Sequence, residues 1–186
     1  MSSPPLNSMF EVSEDMTGTS ANCKPTEVSE TPPCNDVPVL RRAAMDCLAR
    51  REHSFFELTQ KLQKKFPDTE QGLLVEVLEA LQAESLQSDE RFAESYARYR
   101  TSRGFGYLHI KSDLSSRRVS DSLIHKYLIP DADHWQVTAD ELTAKKLHGD
   151  TSLAYGSKQH RKLLRFLESR GFTPIQIRRA LDKHLK

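Results

Sequence analysis

The chain lacks the cysteines that a disulfide framework or a structural zinc site would need. It has three, Cys23, Cys34 and Cys47, with no CxxC pair, and isolated thiols in odd number fit a reducing compartment. The seven histidines are scattered, with no HxxxH or HxxE spacing to group them, which argues against a metal. No stretch approaches the roughly 18 apolar residues of a membrane span. The N-terminus also lacks the basic start and apolar core of a signal peptide, so the expected location is the cytoplasm, with no membrane partner. GxSxG, HExxH, GKT or GKS and DxDxDG are all missing. Gly104-Phe105-Gly106 has no third glycine and no preceding strand, so it serves as a helix stop and tight turn rather than a phosphate loop. No nucleophile, base and oxyanion donor converge in the pattern. A non-enzymatic protein without cofactor or metal is expected. Strand signals are also missing, since no alternating Val/Ile/Thr run is bounded by hairpin turns. What remains is an all-α chain.

Charge is present but unevenly placed. A net charge of +1 conceals an acidic segment at residues 1–38, mildly acidic blocks at 39–90 and 127–155, and basic blocks at 91–126 and 156–186. Residues 1–38 also hold six of the nine prolines and no apolar period. Such a segment cannot offset its chain entropy by burial. It is expected to be a disordered acidic tail, or to precede a start further downstream.

From Val39 the pattern is helix after helix. Val39–Arg51 carries Leu40, Ala44, Cys47 and Leu48 on one stripe. Ser54-Phe55-Phe56-Glu57 is a capping-box pattern, followed by Leu58, Leu62 and Phe66 and stopped by Pro67. Asp68 is expected to begin a helix bearing Leu74, Val77, Leu78 and Leu81. Ser88-Asp89-Glu90 opens a helix with Phe92, Ala93, Tyr96 and Tyr99, closed by Gly104. Tyr107–Arg118 carries Leu108, Lys111 and Leu114, and Ser120 caps a helix with Leu123, Ile124, Tyr127 and Leu128. Asp133-His134-Trp135-Gln136 is again a capping-box pattern, opening a helix that runs to Gly149. Ser157–Arg170 ends at Gly171. Thr173-Pro174-Ile175-Gln176 combines an N-cap Thr, a Pro at the first helical position and a Gln three residues after the cap.

The helices number nine, in three rounds of three: 39–86, 87–130 and 131–186. RYRTSRGFGYLHIKSDL (98–114) and RFLESRGFTPIQIRRAL (165–181) share R-x-x-x-S-R-G-F, followed at matching positions by Ile and Leu. Arg50–Leu58 is a weaker third copy. Periods in this range mean repeats. A three-helix unit is expected to bury its apolar face against its neighbours, giving an elongated, curved array in the domain 39–186.

Two basic clusters surround the repeated turns. One comprises Arg98, Arg100, Arg103, Lys111, Arg117 and Arg118. The other comprises Lys158, Arg161, Lys162, Arg165, Arg170, Arg178, Arg179 and Lys183. Arg pairs bidentately with phosphate or carboxylate, so the clusters suit a DNA backbone or an acidic partner. A solvated helix face is the alternative. Phe105 and Phe172 are expected to pack after their glycines, and Trp135 to lie in the core. Tyr96, Tyr99 and Tyr107 fit either core or surface.

RREHSFFELTQKL (50–62), QSDERFAESYARYRTSRGFGYLHIKSDL (87–114) and KQHRKLLRFLESRGFTPIQIRRAL (158–181) together resemble the RecX family. They carry, in order, R-x-H-S-x-x-E-L, D-x-R-F-A-x-x-Y, R-G-x-G-x-x-x-I-x-x-x-L and R-G-F-x-x-x-x-I. The resemblance implies three tandem three-helix repeats. It also implies a monomer that binds a RecA-type recombinase filament, restrains its ATPase and strand exchange, and touches single-stranded DNA weakly or through the filament. The candidate contact residues are then Arg100, Arg103, Lys111, Arg117, Arg118, Lys158, Arg161, Arg165, Arg170, Arg178 and Arg179. The chain departs from the family at Tyr107, where Pro is usual. It departs again at Ser112, which lies where an Arg is usual nearby, and at Ser116-Arg117-Arg118, where a helix usually ends in R-G. A free-standing DNA-binding helical protein is the alternative function.

Overall fold

Helices α1 (Val37–Leu48), α2 (Phe55–Lys65) and α3 (Gln71–Ala83) come first in the computed structural model, which describes residues 36–130, 132–147 and 153–185. They are followed by α4 (Asp89–Ser102), α5 (Tyr107–Ser116) and α6 (Asp121–Tyr127), then α7 (Asp133–Leu147), α8 (Lys158–Ser169) and α9 (Pro174–Asp182). The only β interaction among the described residues is an isolated parallel bridge, Leu153 to Leu185, in which the Leu153 N–H donates to the His184 carbonyl at 2.8 Å. The fold is all-α. Residues 1–35 of the expected acidic tail (1–38) lie outside the described residues, and so does Gly149. The first helix begins at Val37, inside the span assigned to the tail, because Pro38 lies in its first turn, where a missing N–H costs nothing.

Side-chain caps mark four of the helix starts; the cap expected at Ser120 is not made, its hydroxyl pairing with that of Ser122 instead. Ser54, Ser88, Ser157 and Thr173 each accept a hydrogen bond from the backbone N–H three residues on. Only Thr173 completes a capping box, the Thr173 N–H donating to Gln176 Oε1 at 3.0 Å. At Ser54 the expected box is half made, because the Glu57 carboxylate turns to His53, Arg51 and Arg117 instead. Asp68 does not open α3. The helix starts at Gln71 behind Glu70, and Phe66 to Thr69 form a hydrogen-bonded turn. Asp133 is not a cap either: it is the first helical residue of α7, and Gln136 reaches Asp140 and the Gln176 carbonyl. In α5 the inward stripe is Tyr107, Ile110 and Leu114, while Leu108 faces solvent. Tyr99 likewise points outward, 56% exposed.

Each triplet builds its own core. In all three, the first helix packs on the third and the second closes against both, and every helix pair in extensive contact lies inside one triplet. The first core holds Leu40, Leu58, Leu62, Leu74, Leu78 and Leu81. The second holds Phe92, Ile110, Leu114, Ile124 and, from the start of α7, Trp135. The third holds Leu153, Leu163, Leu167, Phe172, Ile177 and Leu181. Leu114 and Leu181, matched in the repeat, are 0% and 2% exposed. Full burial of such a side chain is worth about 1.5–3 kcal/mol. Trp135, at 1% exposure, donates its indole N–H to the Ile129 carbonyl at 2.8 Å. The three triplets have separate cores, the first joint is polar, and Trp135 of α7 packs into the second core and ties the second triplet to the third.

Candidate binding surface

The first joint uses the residues of the R-x-H-S-x-x-E-L element. Ser54 Oγ, besides capping α2, donates to the Arg117 carbonyl at 3.1 Å, and the Phe55 N–H donates to Asp89 Oδ1 at 2.8 Å. Buried Gln87 donates to the His53 carbonyl. Arg117 Nε lies 2.7 Å from Glu57 Oε1, and Arg91 Nε lies 2.9 Å from Glu52 Oε1. His53 is 1% exposed. Its Nδ1 is 2.8 Å from Glu57 Oε2 and its Nε2 is 3.4 Å from Lys61 Nζ, so a neutral ring protonated on Nδ1 satisfies both. Burial pushes the imidazole below its ordinary 6.5, against the pull of the Glu57 hydrogen bond. Burial alone would raise the Glu57 carboxyl, but hydrogen bonds from His53, Arg117 and Arg51 bring it below its ordinary 4.5.

The same network runs on into the second triplet. Tyr96 donates its hydroxyl to Asp113 at 2.5 Å, and Arg100 bonds both Tyr96 and Asp113 at 2.8 Å. Burial opposes ionisation of Asp113, yet the Tyr96 hydrogen bond and the nearby His109 and Arg100 hold it below 3.8.

The second joint brings the two repeated turns face to face. The Gly106 N–H donates to the Arg170 carbonyl at 2.8 Å, and the Leu108 N–H donates to the Gly171 carbonyl at 3.0 Å. Arg170 also donates to the Arg103 carbonyl, and its guanidinium lies 4.6 Å from the centroid of Phe105. Phe105 stacks on His109, while Phe172 is buried.

The candidate residues therefore divide. Arg100, Arg117 and Arg170 are half-buried and committed to partners within the chain. Lys111 is half-buried over Tyr107, Arg103 is exposed beside Tyr99, and Arg118 is exposed over Phe56. Lys158, Arg161, Arg165, Arg178 and Arg179 are all exposed, and none forms an ion pair or hydrogen bond among the described residues. On α8, Lys158, Arg161, Lys162 and Arg165 recur at i, i+3, i+4 and i+7, so they share one face. It is opposite the buried His160, Leu163 and Leu167. That face spans about 10 Å. Lys162 and Lys146 join Lys158 around Phe166 in a cleft of about 530 Å³. On α9, Arg178 and Arg179 flank Ile175, which is 61% exposed.

Sequence reasoning missed Lys146, whose place beside α8 depends on how α7 packs. It also missed the cleft of about 700 Å³ lined by Arg51, Tyr96 and Tyr99, which lies across the first joint. Among the described residues, no three His, Cys, Asp or Glu side chains converge as a metal site would require. No helix among them is long and apolar enough to cross a membrane.

A family model for the second three-helix domain of RecX matches residues 88–128. The regulatory protein RecX of Chromohalobacter salexigens is 38% identical over 143 residues, covering 76% of this chain and 90% of that protein. RecX of Pseudomonas savastanoi is 36% identical over 148 residues, covering 79% and 93%. The crystal structure of RecX from Lactobacillus salivarius superposes with a TM-score of 0.63 at 22% identity, covering 78% of this chain and 94% of that one. Three separately cored helix triplets, joined in the middle through the matched segment, thus go with a close likeness in sequence over nearly the whole of these relatives, and the chain belongs to the RecX family of regulatory proteins.

Proposed function

We propose that this chain is a non-enzymatic cytoplasmic regulator that binds a RecA-type recombinase filament on single-stranded DNA and restrains its ATP hydrolysis and strand exchange. Membership of a regulatory family supports the role. The observation that carries the choice of surface is the set of free cations on the third triplet. Lys158, Arg161, Arg165, Arg178 and Arg179 are exposed and have no carboxylate partner of their own, unlike Arg100 and Arg117, while Arg170 is held by the Arg103 carbonyl. Exposed guanidinium groups give up water more cheaply than ammonium groups and bind phosphate or carboxylate bidentately. Contacts spread over two helices give avidity without a deep pocket. Arg117 and Arg170 act by keeping the triplets in register, and Arg100 ties α4 to α5 within the second triplet.

The test is a recombinase ATPase assay on single-stranded DNA with this protein titrated in. Changing Arg161, Arg165, Arg178 and Arg179 together to Glu leaves the helical circular dichroism intact and abolishes restraint. A folded quadruple variant that restrains the ATPase as well as the parent removes these residues from the site. The second reading, a free-standing DNA binder, draws on the same stripe. Equal affinity for bare and recombinase-coated single strands at one salt concentration would favour it.

A further inference from the structure

The cleft across the first joint is built differently from the α8 stripe. Its walls are Phe92, Tyr96 and Tyr99 on one side and Arg51 with Glu52 on the other. Tyr96 is fixed in place, because its hydroxyl is held by Asp113 and Arg100 and the Arg117 guanidinium lies 4.8 Å from its ring centroid. Tyr99 is the open member. The residue is 56% exposed, with the Arg103 guanidinium 5.9 Å from its ring centroid. The Glu52 carboxylate is neutralised by Arg91 and the nearby Glu57 by Arg51 and Arg117. Guanidinium groups therefore outnumber carboxylates around an aromatic wall. That charge balance matches an occupant that is flat on one side and anionic on the other.

We propose that this cleft seats one unstacked base of single-stranded DNA against Tyr99, with its flanking phosphate directed to Arg51 and Arg103. This rests on the nucleic-acid part of the proposed function and adds to it a site on the face of α4. Every base offers a π-face, so such a seat is indifferent to sequence. Tyr96 is already immobilised, so ordering the wall costs little side-chain entropy. Arginine beside tyrosine contributes through the ring face as well as through charge.

The experiment compares binding of a thymidine oligonucleotide with that of an oligonucleotide of equal length and charge carrying abasic sites, by fluorescence anisotropy at one salt concentration. The proteins are the parent chain, Tyr99→Ala and Tyr99→Phe. The parent prefers the thymidine strand. Tyr99→Ala weakens that binding by about tenfold and leaves abasic binding unchanged, while Tyr99→Phe keeps the preference, since the face and not the hydroxyl stacks. Photocrosslinking of a 5-bromouracil strand to the parent, located at Tyr99 by mass spectrometry, tests the same seat without a substitution. A parent that does not bind the strand, equal losses of Tyr99→Ala on both strands, or a crosslink confined to the third triplet overturns the proposal. If Tyr99→Ala loses recombinase restraint while both DNA affinities hold, the cleft takes a protein side chain and the proposal fails. If DNA binding behaves as expected and restraint is absent even in the parent, it is the recombinase reading that fails.

Discussion

A β-carbon added to Gly106 would stand 2.5 Å from the carbonyl oxygen of Gly171. The two glycines belong to the two copies of the repeated turn, and the main chains touch there because neither has a side chain. At Gly171 the φ is +82° and an added β-carbon would meet the His109 nitrogen at 2.3 Å.

Gly106→Ala should separate the second and third triplets. Gly106 has φ −88° and ψ 171°, a conformation any residue adopts, so the whole cost is steric, about 1–3 kcal/mol or more against rigid backbone. Gly156 gives the contrast, with φ +70° and open space around it; Gly156→Ala should cost only about 1 kcal/mol, from backbone conformation alone. Urea denaturation of the two variants measures the difference, and equal losses would show that the contact at Gly106 is not tight.

Two non-glycine residues sit in the left-handed region just past a helix, Ser85 at φ 59° and Arg118 at φ 56°. Ser85→Gly should stabilise by about 0.5–1 kcal/mol, since glycine relieves the β-carbon strain at this position. Arg118→Gly should gain less, because the guanidinium 4.6 Å from the Phe56 centroid is lost with it. Thermal midpoints decide the order, and a lower midpoint for Ser85→Gly would contradict the strain argument.

Leu114→Ala and Leu181→Ala should each cost about 2–5 kcal/mol as cavity mutations. The cores are separate, so the two losses should add in the double variant. A strong departure from additivity would reveal coupling between the second and third cores.

Acid should open the first joint before anything else. The folded pKa of His53 lies below its ordinary 6.5, so the unfolded chain takes the proton first. Its contribution is complete above 6.5 and is lost as pH falls through the folded value. Glu57 and Asp113 are held below 4.5 and 3.8; their stabilisation, present above those values, is lost as pH falls through their lower folded values. The thermal midpoint should fall on acidification from about pH 7 to 5, and His53→Gln should flatten that slope. A slope unchanged in His53→Gln would place the acid sensitivity elsewhere.

The helices were legible because apolar spacing and cap residues are local properties. Leu74, Val77, Leu78 and Leu81 declare one face of α3 within eight residues, and Thr173-Pro174-Ile175-Gln176 specifies its own start. The joints were not legible, because their partners lie far apart in the chain: Phe55 with Asp89, Ser54 with Arg117, Gly106 with Arg170. Arginine looks the same in sequence whether it is free or paired. Arg117 and Arg161 therefore stood together as candidates, although one is tied to Glu57 and the other has no partner among the described residues. Leu108 was misplaced because α5 is short and two apolar stripes fit it equally well.

The two joints answer to different solvents. The second is closed by main-chain hydrogen bonds at Gly106 and Leu108, which carry no titratable charge. The first is closed largely by side-chain charges, which added salt screens and acid neutralises. The first joint is therefore expected to loosen in salt or acid while the second and third triplets stay together. High salt should accordingly speed hydrogen exchange at the Phe55 amide and leave the Leu108 amide protected.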